Sequence, residues 1–484
     1  MNGEIYKANH LTMLMDFYEL TMAQGYFSSG YQNKIAYFDM FFRKIPDGGG
    51  FAIMAGVYQL IEYLKDLRFT ESDINYLKNK NMFTDEFLNY LKNFKFICDV
   101  WAVPEGTPIF PNEPIIIVRG PIIQAQIIET MVLLIINHQS LIATKANRIC
   151  RAAFNKDVME FGSRRAQGFD GAVYGARAAY IGGCIGTSCV ISNKDFDIPV
   201  FGTMAHSWVQ LFDDEYSSFK AYAKQYPDKC TLLVDTYNVL KSGVPNAIKV
   251  FNEIIIPAGY RPDAIRIDSG DITYLSKKAR KMLDDAGFSD CKIIASNSLD
   301  EFIIRDMMNQ GAMVDIFGVG ERLITSSSTP VFGGVYKLTG VEQDGKVIPK
   351  IKLSENVSKI TTPCFKNLWR LFDNATGKAV ADIVTLEDEV IDSSKPYEIF
   401  DAEYTWKRKK VENFTAKKLL EKLFDKGNCV YKSNSLAEIR DYCCEQVDLL
   451  WDEILRFENP HKYYVDLSQK LWDERQKLLD FYSN

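Results

Sequence analysis

Between about residues 155 and 340, short apolar runs rich in β-branched residues alternate with helical patterns. The runs are 157–161, 231–234, 264–267, 292–295 and 313–317. The intervening segments 272–287 and 299–311 carry apolar residues at spacings of three and four and end in glycine, as helices do. Such repeats predict buried parallel strands with crossover helices. Weaker candidates at 184–190 and 334–338 bring the count to seven or eight strands, which favours a TIM-like (β/α) barrel, regular or irregular.

The chain of 484 residues exceeds the roughly 100–200 residues expected of one domain. We expect an N-terminal α+β domain at 1–125, a catalytic α/β barrel at 126–340, and a C-terminal hairpin and helical segment at 341–484. The turn signal Asp344-Gly345 marks the hairpin, and a capping box at 435–438 marks a late helix. The C-terminal segment is expected to pack on the N-terminal domain, so that both ends of the chain build one α+β domain.

Composition narrows the classes of function. The net charge of −6 provides no overall basic field for nucleic acid, so an anionic ligand must be held by local groups. The N-terminus lacks the pattern of a signal peptide, and the longest apolar stretch, 127–136, is shorter than the roughly 18 residues of a spanning helix. We therefore expect a cytoplasmic protein with no membrane partner. The ten cysteines include no Cys-x-x-Cys pair, which predicts reduced thiols rather than zinc ligands or disulfides.

Polar residues follow most of the predicted strands. The loops are 162–165, 202–207, 235–238, 268–271, 296–298 and 318–322. Active sites of α/β barrels assemble from loops at the carboxyl ends of strands. The sequence therefore predicts one shared site at that end.

His206 is one of only four histidines, and it follows an apparent strand at 197–201. Its neighbours Thr203 and Ser207 carry hydroxyl groups suited to an oxyanion. A neutral imidazole in this position can act as a base, a metal ligand or a phosphate acceptor. A lone histidine is also often a structural residue, so the motif alone leaves these alternatives open.

A second motif runs from Asp268 through Ser269 and Gly270 to Asp271, with Arg266 in the strand before it. Carboxylates can accept hydrogen bonds from ribose hydroxyls, and amides at a helix start can hold phosphate. The same residues are also favoured as an ordinary helix N-cap. Both interpretations stay open at this point.

Three further features suit an anionic, planar ligand. Gly318 and Gly320 follow a strand and let the backbone approach a phosphate, although a Gly-x-Gly pair is often only a tight turn. Arg164 and Arg165 offer guanidinium groups beside Phe161, although adjacent side chains usually diverge, which leaves one of the two solvated. An aromatic residue on a helix, such as Tyr18, can stack on a ring but is more often part of a core.

Several ordered blocks make the chain resemble a known family. They are DFYELTMAQGYF (16–27), FRKIP (42–46), GGFAI (49–53), EFGSRRAQG (160–168), GTMAHSW (202–208), IDSGD (267–271), GGVYKL (333–338) and KLSEN (352–356). With these blocks the sequence closely resembles nicotinate phosphoribosyltransferase, of the type II phosphoribosyltransferases. The resemblance runs from residue 16 to about 370 and is less diagnostic beyond about 400.

The resemblance implies transfer of a phosphoribosyl group from phosphoribosyl diphosphate to nicotinate, giving nicotinate mononucleotide and pyrophosphate in NAD salvage. It also implies ATP as co-substrate, Mg²⁺ on the diphosphate without a dedicated protein cage, and a homodimer with shared active sites. His206 would be transiently phosphorylated. The implied catalytic residues are His206, Arg164 and Asp268.

The resemblance further implies which residues contact the substrates. Tyr18 and Phe161 would sandwich the pyridine ring, with Tyr18 contributed by a second subunit, and Arg164 would lie at the nicotinate and ribose end. Thr203 and Ser207 would border the site. The full predicted substrate-binding set is Tyr18, Phe161, Arg164, Thr203, Ser207, Asp235, Arg266, Asp268, Ser269, Gly270, Asp271, Asn297, Gly318, Gly320 and Thr325. Within it, Arg266 and Asp268 would hold the ribose phosphate, and Gly318, Gly320 and Thr325 would receive the 5′-phosphate.

Two alternatives remain. A nicotinamide phosphoribosyltransferase would share the histidine and the stacked ring, although the blocks after the paired arginines and around His206 favour the acid over the amide. A barrel that binds phosphate or nucleotide without catalysis has the same composition.

Overall fold

The computed structural model describes residues 11–356, 359–402 and 404–483. These residues form two compact units. One contains the described residues up to Leu141 together with those from Val331 onwards, and the other contains Ile142–Pro330. The boundary between Leu141 and Ile142 falls within one long helix, Glu129–Ala152.

The strands, numbered in chain order, are β1 (Ile35–Phe41), β2 (Ala52–Ile53), β3 (Asp99–Ala102), β4 (Pro108–Ile109), β5 (Ile116–Pro121), β6 (Asp157–Glu160), β7 (Gly186–Thr187), β8 (Thr231–Leu233), β9 (Ala264–Ile267), β10 (Lys292–Ser296), β11 (Ile316–Val319), β12 (Val335–Gln343), β13 (Lys346–Pro349), β14 (Lys366–Asp373), β15 (Ala379–Leu386), β16 (Tyr397–Phe400), β17 (Arg408–Val411), β18 (Phe414–Lys418), β19 (Glu421–Asp425), β20 (Asn428–Cys429) and β21 (Val465–Leu467).

The α-helices are α1 (Phe17–Ser28), α2 (Val57–Asp66), α3 (Glu71–Lys78), α4 (Asp85–Lys92), α5 (Ile122–Gln126), α6 (Glu129–Ala152), α7 (Phe169–Ile181), α8 (Val190–Phe196), α9 (His206–Leu211), α10 (Glu215–Gln225), α11 (Val244–Val250), α12 (Ile272–Asp285), α13 (Glu301–Asn309), α14 (Glu321–Ile324), α15 (Leu436–Asp448) and α16 (Gln469–Ser483).

The first unit is built around an antiparallel sheet that combines strands from both ends of the chain. Its order is β13-β12-β1-β5-β3-β19-β20. The turn at Asp344-Gly345 joins β12 to β13, as the turn signal in the sequence predicts. A second sheet has the order β18-β14-β15-β21. Helix α15 begins with the predicted capping box, in which Ser435 and Glu438 exchange hydrogen bonds.

The second unit contains a parallel sheet of order β7-β6-β11-β10-β9-β8. Five of these strands correspond to the apolar runs identified in the sequence, and α12 and α13 occupy the predicted connections. The prediction of a mixed α/β fold with a parallel sheet is therefore confirmed.

Closure of this sheet into a barrel is not observed among the described residues, because β8 and β7 lie at opposite ends of the strand order. The predicted strand at 197–201 contributes only one bridge, between Val200 and Thr187. Asp197 ends α8 in a left-handed conformation, so only a short segment remains for a strand before the loop at 202–207. The predicted strand at 334–338 pairs instead within β12, because its antiparallel partners β1 and β13 lie in the first unit. The weak candidate at 184–190 shortens to β7, and Val190 begins α8.

The predicted buried helix at 127–136 lies within the segment of α5 and α6. In the part of the chain that the structure describes, the stretch 122–152 is long and apolar enough to cross a membrane by length and composition alone. Buried residues make up 72% of its most apolar window, and core helices of soluble proteins pass the same test. This helix is therefore weak evidence for a membrane span.

Candidate active site

The candidate site lies in the second unit, where the carboxyl ends of the parallel strands meet. The register pairs Ser296 at the end of β10 with Gly318 in β11, and Gly318 in turn with Met159 in β6. Because side chains alternate across a strand, Phe161, two residues after Met159, projects to the same face. Ligands of open α/β sheets bind in the crevice at this edge.

The same face is apolar nearer the amino ends of the strands. Met159, Ala264, Ile294 and Ile316 form a buried cluster there, and Phe161 packs against it. Polar and glycine residues replace these side chains towards the carboxyl ends. Because side chains alternate along each strand, a buried apolar layer lies beneath the polar residues of the site.

Phe161 lies over Gly318, and the absence of a side chain at Gly318 makes this possible. A Cβ atom there would come 2.6 Å from the Phe161 ring. The Phe161 amide also donates to the carbonyl of Val319 at 2.7 Å, and the guanidinium of Arg266 lies 5.7 Å from the ring centroid. At Gly320 a Cβ would be 3.2 Å from the Phe161 carbonyl oxygen. The two glycines therefore leave room for Phe161, and they also leave their own backbone atoms uncovered by a side chain.

Arg266 is the centre of a hydrogen-bond network. Its Nε donates to Ser296 Oγ at 2.8 Å, its Nη1 to Thr203 Oγ1 at 3.0 Å, and its Nη2 to Asp268 Oδ1 at 2.9 Å. The Ser296 hydroxyl donates in turn to Asp268. The side chains of Arg266 and Asp268 are 15% and 27% exposed, so a partly desolvated ion pair is held in one orientation. The network fixes a cation and a carboxylate next to the aromatic ring.

His206 is tied to this network through Asp235. Its Nε2 lies 3.2 Å from Asp235 Oδ1, and the imidazole is 41% exposed while the Asp235 side chain is 1% exposed. The other Asp235 oxygen accepts hydrogen bonds from the Asp268 amide at 3.0 Å and the Ser269 hydroxyl at 2.6 Å. A carboxylate held by two donors can only accept from the ring, so Nε2 carries hydrogen and Nδ1 presents a lone pair.

Two residues that the sequence prediction missed support these loops. Ser296 links Arg266 to Asp268, as described above. Glu160 is buried at the end of β6, where it accepts hydrogen bonds from the Gly162 amide and, at 2.5 Å, from the Thr187 hydroxyl. Burial raises the pKa of Glu160, which these hydrogen bonds partly offset. A glutamate within an apolar strand is the signal that could have identified it.

The predicted anion ligands differ in their surroundings. Arg164 is exposed and forms no ion pair with any residue that the structure describes, whereas Arg165 lies 3.7 Å from Glu321. Ser207 is exposed in the first turn of α9. Arg164 is thus available to a carboxylate or phosphate, as its predicted role requires.

Other predicted residues have local structural partners. Asp271 is the N-cap of α12 and accepts from the Tyr274 amide at 2.9 Å. The Thr325 hydroxyl donates to the Glu321 carbonyl at 2.7 Å. Gly270 and Asn297 both have positive φ, of 81° and 102°, and Asn297 is exposed after β10. Positive φ at a non-glycine residue is typical of constrained functional loops.

Tyr18 belongs to the first unit, on α1, and its ring is 44% exposed. Its hydroxyl hydrogen-bonds to Glu129, and burial and the charge of Glu129 raise the pKa of Tyr18. The adjacent Glu19 is buried, which raises its pKa to about 7, although it accepts hydrogen bonds from the Thr130 amide and hydroxyl. The ring of Tyr18 is thus exposed on α1 while Glu129 holds its hydroxyl, so the ring face can contact a group outside the helix.

These features define the class of protein: a mixed α/β protein with arginine, carboxylate, histidine and aromatic side chains gathered at the carboxyl edge of a parallel sheet. Matches to known proteins narrow the class. Residues 13–137 match the nicotinate phosphoribosyltransferase N-terminal domain, residues 156–376 match the nicotinate phosphoribosyltransferase family, and residues 365–475 match the corresponding C-terminal domain.

The chain is 44% identical to a Bacillus subtilis nicotinate phosphoribosyltransferase, covering 98% of this chain and 96% of that protein. It is 30% identical to the human protein of the same name, with 95% of each covered. The crystal structure of human nicotinic acid phosphoribosyltransferase superposes with a TM-score of 0.84 and 28% identity, covering 96% of this chain and all of that one. The chain belongs to the nicotinate phosphoribosyltransferase family, which confirms the resemblance.

Proposed function

We propose that this chain catalyses transfer of the phosphoribosyl group from phosphoribosyl diphosphate to nicotinate, releasing nicotinate mononucleotide and pyrophosphate in NAD salvage. Relatives of this name align with nearly the whole chain. The observation that carries the proposal is the single network that joins Arg266, Asp268 and His206 beside the Phe161 ring. It brings a cation for phosphate, a carboxylate for ribose and an aromatic surface for pyridine to one place.

Binding follows from these surroundings. The pyridine ring would lie on Phe161, and Arg164 would receive the nicotinate carboxylate. A second aromatic face would come from Tyr18 of a second copy in a homodimer. Arg266 and Asp268 would hold the ribose phosphate, with the Gly318 and Gly320 backbone beside the 5′-phosphate.

In the transfer, the nicotinate ring nitrogen forms a bond to the anomeric carbon while the bond from that carbon to the diphosphate oxygen breaks. Positive charge develops on the ribose as the leaving group departs. Asp268 would stabilise that charge, because its carboxylate is already fixed by Arg266 and Ser296 and needs no reorganisation. The electron pair of the broken bond leaves with pyrophosphate.

ATP would be coupled to this reaction through His206. The Nδ1 lone pair would form a bond to the γ-phosphorus of ATP as the bond to ADP breaks, and water would later release phosphate from the imidazole. Asp235 would stabilise the positive charge of the imidazole during this transfer. Thr203 and Ser207, on either side of His206, would border the added phosphoryl group.

Mg²⁺ would neutralise charge on the diphosphate when bound. Among the residues that the structure describes, no group of three or more candidate ligands clusters. The second oxygen of Asp268 is not engaged by Arg266 or Ser296, which suits an ion held mainly by substrate oxygens and water. Location in the cytoplasm remains a prediction of the sequence.

Two experiments test the proposal. Incubation with γ-labelled ATP should give an acid-labile label that is lost in His206→Ala, and a label undiminished in that variant would refute phosphorylation there. Rates with nicotinate and nicotinamide should show a higher kcat/KM for the acid. Equal or faster turnover of the amide would instead support the nicotinamide enzyme, and nucleotide binding with neither labelling nor pyridine turnover would support a non-catalytic nucleotide-binding protein.

A further inference from the structure

The first unit contains a cavity of about 540 Å³ whose walls include none of the parallel-sheet loops. It lies between the β16–β17 hairpin, the segment 461–467 and the end of β1. This volume is within the range of roughly 300–1,000 Å³ that is typical of sites for organic ligands. Nothing in the proposed transfer reaction uses it.

Positive charge predominates among the polar groups of the cavity. Lys407, Lys409 and Lys462 line it, are exposed, and form no ion pair within 4.0 Å with any of the acidic groups described. Three other cations line the cavity, Lys366, Arg408 and Arg475; Lys366 pairs with Asp39 at 2.8 Å, and Arg408 pairs with Glu398 outside the lining. Lys407 lies 4.3 Å from the Tyr404 ring centroid and Lys409 lies 5.9 Å from that of Trp451, so aromatic faces rather than carboxylates meet these two charges. The three lysines therefore provide positive charge that no carboxylate ion pair neutralises.

The same cavity is also lined by a buried carboxyl group, that of Asp466. It is 5% exposed, lines the cavity from β21, and makes neither an ion pair nor a side-chain hydrogen bond with the residues described. Burial, reinforced by the charge of Asp401, raises the pKa of Asp466 to about 7. The Asp466 carboxyl thus borders the cavity with no donor from the residues described, and a ligand that supplies an N–H or O–H donor would pair with it.

The remaining walls are apolar and aromatic, and they include Phe41, Phe400 and Tyr464. Phe41 and Phe400 are 8% and 3% exposed, whereas Tyr464 is 38% exposed. A ligand that fills this cavity thus meets lysine ammonium groups, the Asp466 carboxyl and the partly exposed ring of Tyr464. A simple inorganic anion would use the lysines alone and would supply no donor to the Asp466 carboxyl.

We propose that this cavity is a second binding site, for an aromatic organic anion of mononucleotide size. Lys407, Lys409 and Lys462 hold its anionic group, the carboxyl of Asp466 accepts from an amino or hydroxyl group, and its ring lies against the partly exposed ring of Tyr464. The site is separate from the proposed catalytic loops and does not depend on the assignment of their reaction.

Adenosine monophosphate is a suitable probe, measured by calorimetry on the full chain at constant pH. Lys409→Ala and Lys462→Ala together should weaken binding by about tenfold or more, because two charge contacts to the phosphate are removed. Lys410→Ala is the matched control, since Lys410 neighbours Lys409 in β17 but does not line the cavity. It should leave the affinity unchanged, and far-ultraviolet circular dichroism should show that each variant is folded.

Two further comparisons separate this site from the catalytic one and from a simple anion site. If adenosine monophosphate occupies the cavity, Arg266→Lys should leave intact the binding that the double lysine substitution weakens. Asp466→Leu should weaken binding of adenosine monophosphate but not of inorganic phosphate. Equal affinity in the double lysine variant and the Lys410→Ala control, loss of all binding with Arg266→Lys, or phosphate binding as tightly as the nucleotide would each overturn the proposal.

Discussion

Replacing Asp235 by asparagine tests the arrangement around His206 most directly. The aspartate accepts from His206 Nε2 on one oxygen and from the Asp268 amide and Ser269 hydroxyl on the other. In Asp235→Asn the amide oxygen should keep the two donors, which turns the amide NH₂ towards the imidazole. The ring must then accept at Nε2 and carry its hydrogen on Nδ1, where it cannot attack phosphorus.

The magnitude follows from the alternative orientation. Turning the amide round would set its NH₂ against the part-buried Asp268 N–H and leave that donor unsatisfied, which costs about 1–3 kcal/mol. The reactive tautomer should therefore become about 5- to 150-fold rarer, and the rate of phosphohistidine formation should fall by the same factor. Rapid-quench labelling with γ-labelled ATP measures this rate.

The matched control is Asp263→Asn. Asp263 accepts from the Thr231 hydroxyl at 2.9 Å at the amino end of the sheet, away from the site loops. Labelling should be unchanged in that variant. If Asp235→Asn, with native circular dichroism, also labels at the wild-type rate, the tautomer assigned to His206 is wrong.

Three further predictions concern the two units separately. Arg266→Lys cannot reproduce the three directed hydrogen bonds of the guanidinium, so the KM for phosphoribosyl diphosphate should rise by roughly tenfold or more in steady-state assays; an unchanged KM would remove Arg266 from substrate binding. Gly318→Ala should displace the Phe161 ring and raise the KM for nicotinate more than Gly320→Ala does, because the added Cβ is 2.6 Å from the nearest ring atom rather than 3.2 Å from a carbonyl; the reverse order would contradict this packing. Burial raises the pKa of Glu19 from 4.5 to about 7, so the folded state binds its proton more tightly and this group's stabilising contribution falls as pH rises from about 4.5 to 7. In thermal unfolding experiments, Glu19→Gln should lose less stability than wild type as the pH rises across that range. Parallel stability curves for the two proteins would show that the pKa of Glu19 is not perturbed.

Much of the second unit could be predicted from local sequence. The apolar runs predicted β6, β8, β9 and β10 to within one residue at each end, because buried parallel strands are continuous in their hydrophobicity. The run at 313–317 located β11 but began three residues before it and ended two residues early. The loops that follow them could be placed at one edge because all parallel strands in a sheet point the same way. Arg266 and Asp268 could be assigned to one face because they are two residues apart.

Local patterns failed where pairing partners decide the structure. Residues 334–338 have the composition of a barrel strand, yet antiparallel pairing with β1 places them in the sheet of the first unit. The segment at 197–201 is equally apolar but forms only the Val200 bridge. Periodicity reports whether a segment can be a strand, and it does not report which neighbour the strand will have.

The sequence by itself determined that Arg266 would lie in a strand of an α/β protein and that His206 and Asp268 would follow strands in polar segments, since strand and turn chemistry are local. Only the tertiary structure decided what those residues do to one another. Asp235 meets His206 across 29 residues, and Arg266 meets Thr203 across 63. The fit of Phe161 over Gly318 likewise depends on the register of β6 against β11. Such contacts arise because sheet register brings distant loops to one edge, and no local propensity encodes that register.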